Sequence, residues 1–148
     1  MLAAARDLSS IAESDDSRPV VLVVEDEVLV RMVIAEYLRE CDYVVIEAGS
    51  AVEAVALFKA DVEVDVVFSD IQMPGAMDGF ALSKWVRQNR PGVKVILTSG
   101  AASAADKAAD LCDDGPLLQK PYESEEVGRR IKQLLAARDR NGDKDRKH

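Results

Sequence analysis

The stretch from Val64 to Gly79 reads VDVVFSDIQMPGAMDG, and it decides the fold. Its apolar run Val66-Val67-Phe68 is rich in β-branched and aromatic residues, and a Met-Pro-Gly turn follows soon after the run. This pattern predicts a buried strand that ends at Asp70. A carboxylate at the carboxyl end of a buried strand stands where open α/β sheets place their ligands.

A second apolar run, Val20–Val24, also ends in acidic residues, Glu25 and Asp26. If the two strands are parallel neighbours, three carboxylates converge on one edge of the sheet. Three such charges repel one another strongly unless a cation lies among them, and an all-oxygen ligand set suits Mg²⁺. The sequence therefore predicts a magnesium site at Glu25, Asp26 and Asp70.

Predicted strands and helices alternate along the chain, which favours a parallel sheet with helices on both faces. We expect strands over residues 20–24, 44–46, 66–70, 93–98 and 117–119. We expect helices over residues 28–40, 51–60, 79–89 and 101–111, and from 123 or 124 onward. Helical spacing predicts that Val33 and Val52 are among the buried residues.

Length and composition indicate one domain with two polar ends. The chain has 148 residues, of which 48% are hydrophobic. Residues 1–18 are predicted to be a flexible extension, residues 19–137 the folded domain, and residues 138–148 a charged, disordered tail.

Charge and cysteine content narrow the class of protein. The net charge of −8 argues against a nucleic-acid surface and favours an acidic metal-binding face, a basic protein partner or simply an acidic domain. Cys41 and Cys112 are far apart, which is typical of a reduced, cytoplasmic chain. No apolar run approaches membrane-spanning length and the start lacks a signal-peptide pattern, so we expect no membrane partner.

Two further polar groups follow predicted strands, Ser99 and Lys120. Together with the acids they form a set suited to phosphoryl transfer, in which Asp70 is the nucleophile and forms an aspartyl phosphate. Thr98 is the rival hydroxyl, since alternation puts it and Ser99 on opposite faces of the strand. The position relative to Lys120 favours Ser99.

The chain resembles the receiver domain of two-component response regulators over about residues 19–137. The resemblance rests on four motifs, each at the end of a predicted strand: Val24-Glu25-Asp26-Glu27, Ser69-Asp70-Ile71-Gln72-Met73-Pro74-Gly75, Leu97-Thr98-Ser99-Gly100 and Gln119-Lys120-Pro121-Tyr122. It implies an α/β, flavodoxin-like, doubly wound sheet of five parallel strands in the order 2-1-3-4-5, with helices on both faces.

The resemblance also implies a role for each site residue. Asp70 is the expected phosphoacceptor, Ser99 the switch hydroxyl and Lys120 the site lysine, with a cis bond between Lys120 and Pro121. Mg²⁺ is expected to bind Asp70, Asp26, Glu25 through water, and the backbone carbonyl of Gln72.

The implied function is that of a stand-alone response regulator. It accepts a phosphoryl group on Asp70 from a histidine kinase or a histidine phosphotransfer protein and signals through protein contacts or a phosphorelay. It is expected to be cytoplasmic, a monomer or weak homodimer, and not an enzyme beyond its own phosphorylation and dephosphorylation.

Three alternatives are an aspartate-nucleophile phosphatase, a flavin-binding domain of the same fold, and a pseudo-receiver that binds partners without phosphorylation. The phosphatase would need an acid where Gln72 stands, and Glu25-Asp26-Glu27 would repel a flavin phosphate. The complete set of site residues argues against the pseudo-receiver.

Two features depart from the usual receiver pattern. Leu117 stands where receivers often carry an aromatic residue that moves on activation. The turn after Met73-Pro74 is one residue longer than the commonest form. Neither departure touches the predicted phosphorylation chemistry.

Overall fold

A computed structural model describes residues 17–99 and 118–146 of the chain. In this part of the chain five parallel strands form one sheet in the order β2-β1-β3-β4-β5, as predicted. The strands are β1 (Val20–Val24), β2 (Val44–Ala48), β3 (Val66–Asp70), β4 (Lys94–Ser99) and β5 (Leu118–Gln119). The helices are α1 (Val28–Glu40), α2 (Ala51–Lys59), α3 (Gly79–Asn89) and α4 (Ser124–Arg146).

Helices cover both faces of the sheet, so the central strands are apolar almost throughout. Every residue of β3 is buried. Alternate strand residues belong to two cores, because successive side chains of a strand point to opposite faces. On one face Leu22, Val67 and Leu97 pack with Phe58 of α2 and Leu82 of α3. On the other face lie Val23, Phe68 and Ile96, together with Leu38 of α1 and Ile131 of α4.

The ends of the helices are fixed by local hydrogen bonds. The Ser50 hydroxyl accepts a hydrogen bond from the Glu53 amide and caps α2. Helices α1 and α2 end in Schellman motifs, in which Asp42 and Asp61 adopt positive φ angles of 73° and 63°. These turns return the chain directly to β2 and toward β3.

Two side-chain predictions and one boundary were wrong. Val33 and Val52 are 64% and 55% exposed, because the buried stripes of their helices centre on Ile34 and Val55. The tail predicted to be disordered from residue 138 is helical as far as Arg146. Once a helix is anchored, each added residue gains a hydrogen bond without a new nucleation cost, so polar residues can extend it.

Several predictions concern residues outside the part that the structure describes. They are the flexible extension as far as residue 16, the helix over residues 101–111 and the departure at Leu117. Among the described helices, none combines the length and apolar character needed to cross a bilayer.

The first residue of α3, Gly79, packs against the end of β3. A Cβ atom at Gly79 would lie 2.4 Å from the Asp70 carbonyl oxygen and 2.6 Å from the Ile71 Cα. The Gly79 amide also donates to the Ile71 carbonyl at 2.8 Å, which ties α3 to the strand that carries Asp70. This close approach leaves no space for a side chain.

We therefore expect Gly79→Ala to lower the free energy of unfolding by about 2 kcal/mol, because backbone must move to admit the methyl group. Urea unfolding followed by circular dichroism measures this change. Gly92→Ala is the matched control, since a Cβ atom there meets nothing within 4 Å. Equal stabilities of the two variants would contradict this account of the packing.

Candidate functional site

The sheet topology brings three carboxylates together. Strand β1 pairs with β3, so Glu25 and Asp26, which follow β1, lie beside Asp70 at the end of β3. One carboxylate oxygen from each residue lies within 4.8 Å of the others. Glu25 and Asp70 are only 2% and 5% exposed, whereas Asp26 is more accessible. The predicted acidic cluster is therefore present.

Lys120 supplies a positive charge to this cluster. Its Nζ atom lies 3.0 Å from Asp70 Oδ2 and 3.5 Å from Glu25 Oε1. The Lys120–Pro121 peptide bond is cis, as predicted. Burial by itself lowers the pKa of Lys120, but the hydrogen bond and charge of Asp70, with the charge of Glu25, raise this pKa overall. The lysine is therefore firmly protonated beside the two acids.

Glu25 is held in an environment that disfavours its charge. Burial raises the pKa of Glu25, while the hydrogen bond from the Glu27 amide and the charge of Lys120 oppose that rise. The Glu27 amide donates to Glu25 Oε2 at 3.1 Å. A divalent cation bound at the cluster would favour the charged form of Glu25, because its positive charge compensates the negative charge of the neighbouring carboxylates.

Backbone contacts fix the end of β3. The Gln72 amide donates to Asp70 Oδ1 at 3.2 Å, and the Ile71 amide donates to the Thr98 carbonyl at 2.9 Å. These bonds keep the backbone of Gln72, the residue whose carbonyl the resemblance to receivers implies as a metal ligand, beside the Asp70 carboxylate. Ser69 also donates, through its hydroxyl, to the Asp70 carbonyl at 2.9 Å.

The two candidate hydroxyls lie at the end of β4. Thr98 pairs in register with Asp70, and Ser99 is the next residue toward the carboxyl edge. The Ser99 carbonyl accepts a hydrogen bond from the Lys120 amide at 3.0 Å, so Ser99 and Lys120 are bonded neighbours. Both serine and threonine are buried. The choice of Ser99 stays a prediction.

Sequence reasoning assigned no role to two residues beside the site. Arg31 of α1 donates from its NH1 atom to the Glu25 carbonyl at 2.8 Å. Tyr122 packs edge-on against Phe68 at 5.6 Å between ring centroids, next to Lys120 and Pro121. The sequence did carry a signal for Arg31, since it is the one charged residue in an otherwise apolar stretch of the helix, Val28-Leu29-Val30-Arg31-Met32-Val33.

The donor set fits Mg²⁺. Carboxylate oxygens are the ligands that this hard cation prefers, and three of them converge here from two adjacent strand ends. Partial exposure of Asp26 leaves the site open to solvent, which suits a cation that retains several water ligands.

The chain matches the family model of the response regulator receiver domain over residues 21–132. It belongs to the receiver domain family. Receiver domains bind Mg²⁺ at an acidic pocket, and the cluster of Glu25, Asp26 and Asp70 agrees with this property. The observed strand order is the one that the resemblance to this family implied.

Relatives of this receiver domain include parts of longer proteins. It is 38% identical to the sensor kinase CckA of Brucella abortus over 122 residues, which is 80% of this chain and 13% of the kinase. It is 38% identical to the transcriptional regulatory protein PdtaR of Mycobacterium tuberculosis over 105 residues, which is 69% of this chain and 49% of PdtaR. The chain thus spans less than half of either relative.

Solved receiver structures share the fold. The response regulator TrrA of Thermotoga maritima, in complex with Mg²⁺ and BeF, superimposes with a TM-score of 0.71 at 26% identity. The match covers 78% of this chain and 98% of TrrA. A CheY-like receiver domain from Methanospirillum hungatei gives a TM-score of 0.77 at 23% identity, covering 84% of this chain and 99% of the other.

If this cluster binds Mg²⁺, the ion should stabilise the fold by mass action, because only the folded chain assembles the site. We expect the thermal midpoint to rise with Mg²⁺ concentration and most of that gain to disappear in Asp26→Asn. Differential scanning fluorimetry measures both.

Glu63→Gln is the control, since Glu63 is an exposed acid in the loop before β3, at the opposite edge of the sheet. Its Mg²⁺-dependent gain should match that of the unmodified chain. An unchanged gain in Asp26→Asn would show that Mg²⁺ acts elsewhere.

Proposed function

We propose that the chain acts as a response regulator receiver that accepts a phosphoryl group on Asp70. The observation that carries this proposal is the position of Lys120 Nζ, 3.0 Å from Asp70 Oδ2 and inside the acidic cluster. A buried aspartate with a purely structural role needs only one hydrogen-bond or ion-pair partner. A phosphoacceptor needs a positively charged side chain that binds the incoming phosphoryl oxygens, and it needs a metal site beside it. Both requirements are met here.

The donor in this proposal is a phosphohistidine. An oxygen of the Asp70 carboxylate attacks the phosphorus, so that a P–O bond forms as the P–N bond breaks. The electron pair of the broken bond returns to the imidazole nitrogen, and Asp70 becomes an acyl phosphate. Mg²⁺, when bound, would neutralise charge on the carboxylates and on the phosphoryl oxygens.

Each neighbour of Asp70 has a part in this step. Lys120 binds a phosphoryl oxygen after exchanging its bond to the carboxylate, and the Ser99 hydroxyl binds another. Asp70, Asp26, Glu25 and the Gln72 carbonyl would hold Mg²⁺, which would supply positive charge beside the phosphoryl group. The bond from the Gln72 amide orients the carboxylate before the reaction.

The chain acts in signalling, not as a turnover enzyme, in this proposal. Gln72 cannot supply the general acid that an aspartate-nucleophile phosphatase needs two residues after its nucleophile. Output passes through protein contacts or a phosphorelay in the cytoplasm, with the chain a monomer or weak homodimer. The alternative is a pseudo-receiver, which uses the same fold without phosphorylation.

The test is intact mass after incubation with Mg²⁺ and acetyl phosphate. We expect one added phosphoryl group, complete loss of the addition in Asp70→Asn, and loss on chelation of Mg²⁺. Asp61→Asn is the matched control, because Asp61 is an exposed aspartate outside the site. Its backbone is left-handed, and asparagine adopts that conformation as readily as aspartate does. No addition to a chain that does bind Mg²⁺ would favour the pseudo-receiver.

The surface next to the site is suited to binding a helix of the protein that donates the phosphoryl group. Helix α1 exposes an apolar face, formed by Val28, Leu29, Met32 and Val33, of which Leu29 is 75% exposed. Between this face and the segment Lys120–Ser124 runs a groove of about 610 Å³. Because Lys120 lines the groove, a helix lying in it would carry its histidine close to Asp70.

Charge around this groove favours a basic partner. Among the described residues, the continuation of the groove along α1 is lined by four glutamates and no lysine or arginine: Glu36, Glu40, Glu123 and Glu125. The donor helix should therefore present an apolar stripe flanked by lysine or arginine. Such charge complementarity raises association rates and excludes acidic competitors.

This docking arrangement predicts that Leu29→Glu slows phosphotransfer from a protein donor by about tenfold, the effect of losing about 1.4 kcal/mol of interface energy. Phosphorylation by acetyl phosphate, which needs no docking surface, should stay unchanged. The measurement uses a purified phosphotransfer protein that phosphorylates the unmodified chain.

Val52→Glu is the control, because Val52 is an exposed valine on α2, away from the groove. Its transfer rate should match that of the unmodified chain. Equal rates for Leu29→Glu and Val52→Glu would reject the α1 face as the docking surface.

A further inference from the structure

Arg31 connects the acidic loop to the neighbouring strand. Its NH1 atom donates to the Glu25 carbonyl at 2.8 Å, and its Nε atom donates to Glu47 Oε1 at 3.2 Å. Its side chain is only 19% exposed. The guanidinium fork therefore spans two fixed acceptors, one in the β1–α1 loop and one near the end of β2.

The peptide unit between Glu25 and Asp26 depends on this connection. The Glu25 amide donates directly to the Ala48 carbonyl at 3.1 Å, at the end of β2. The Glu25 carbonyl reaches the same strand through Arg31 and Glu47. Both the amide and the carbonyl of Glu25 are thus tied to β2, which sets the direction in which the chain leaves Glu25 and enters Asp26.

Space and charge around Arg31 suit this arrangement. Gly49 leaves room for the guanidinium, since a Cβ atom at that position would lie 3.2 Å from NH1. Glu47 compensates the charge of Arg31, and its other oxygen accepts a hydrogen bond from Arg39 at 3.1 Å. A compensated arginine adds little net positive charge to the acidic cluster, so its geometry matters more than its charge.

We propose that Arg31 is a positioning residue for the magnesium site: its bonds to the Glu25 carbonyl and to Glu47 hold the Glu25–Asp26 peptide so that both carboxylates face Asp70. This proposal rests on the proposed function only for the identity of the ion. Arg31 touches neither the ion nor the phosphoryl group, and it acts through the backbone that carries two of the three acids. Residues that orient metal ligands in this way commonly change metal affinity by 10–100-fold.

The test compares Mg²⁺ dissociation constants by isothermal titration calorimetry in Arg31→Met, Arg31→Lys and Arg39→Met. We expect both Arg31 variants to bind about tenfold more weakly. Lysine keeps the charge but has one nitrogen, which cannot occupy both acceptors of the fork. Arg39→Met is the matched control on the same helix, and its affinity should change less than twofold because both bonds of Arg31 remain.

A second measurement separates positioning from general damage to the fold. The rate of phosphorylation by acetyl phosphate, followed as a function of Mg²⁺, should reach the unmodified value at saturating Mg²⁺ in both Arg31 variants. The half-saturating Mg²⁺ concentration should rise about tenfold. A rate that stays low at saturation would mean structural damage and would overturn the proposal.

Two results of the calorimetry would also overturn it. An unchanged affinity in Arg31→Lys would show that the charge alone suffices, and tighter binding in Arg31→Met would show that Arg31 acts by repulsion. Arg31→Lys keeps the test available if Arg31→Met does not fold. The calorimetry needs no phosphorylation, so failure of Asp70 to accept phosphate is distinguishable from failure of this inference.

Discussion

The burial of two carboxylates around one ammonium group is the constraint on which the rest of this structure depends. Glu25 and Asp70 are almost fully removed from solvent, and Lys120 lies within 3.5 Å of both. Such burial is costly unless the charges are compensated and hydrogen bonded. The surrounding backbone supplies those bonds: the Glu27 amide bonds Glu25, and the Gln72 amide bonds Asp70.

Helix α1 has one buried and one exposed apolar face. Ile34 and Leu38 pack into the core beneath the sheet, whereas Leu29 and Val33 lie exposed beside the groove that leads to Lys120. Arg31 links the helix to the acidic loop and to β2. A partner that binds the exposed face would therefore contact the same helix that is hydrogen bonded to the Glu25 backbone. Partner binding and the geometry of the acidic site would then depend on one element.

Two groups of acidic residues lie at neighbouring places in this structure. The net charge of −8 is spread over a surface on which four glutamates border the apolar groove. At the sheet edge the same sign of charge is concentrated, and one lysine together with a divalent cation would balance it. In the proposed function, acidic residues thus serve metal binding at one place and choice of partner at another, and the two places adjoin.

The amino-acid sequence by itself determined the strands of the sheet and the residues Glu25, Asp26, Asp70 and Lys120 of the site, because apolar runs and the polar residues that end them are local patterns, whereas the strand order was an expectation from the resemblance to receiver domains. It could not determine which helix residues face solvent, as Val33 and Val52 show. The orientation of a helix about its own axis depends on the surface against which the helix packs. Nor could it show that polar residues continue α4 to Arg146. The paired bonds from Arg31 to the Glu25 carbonyl and to Glu47 were decided only by the tertiary structure, because together they require β2, the β1–α1 loop and α1 to meet.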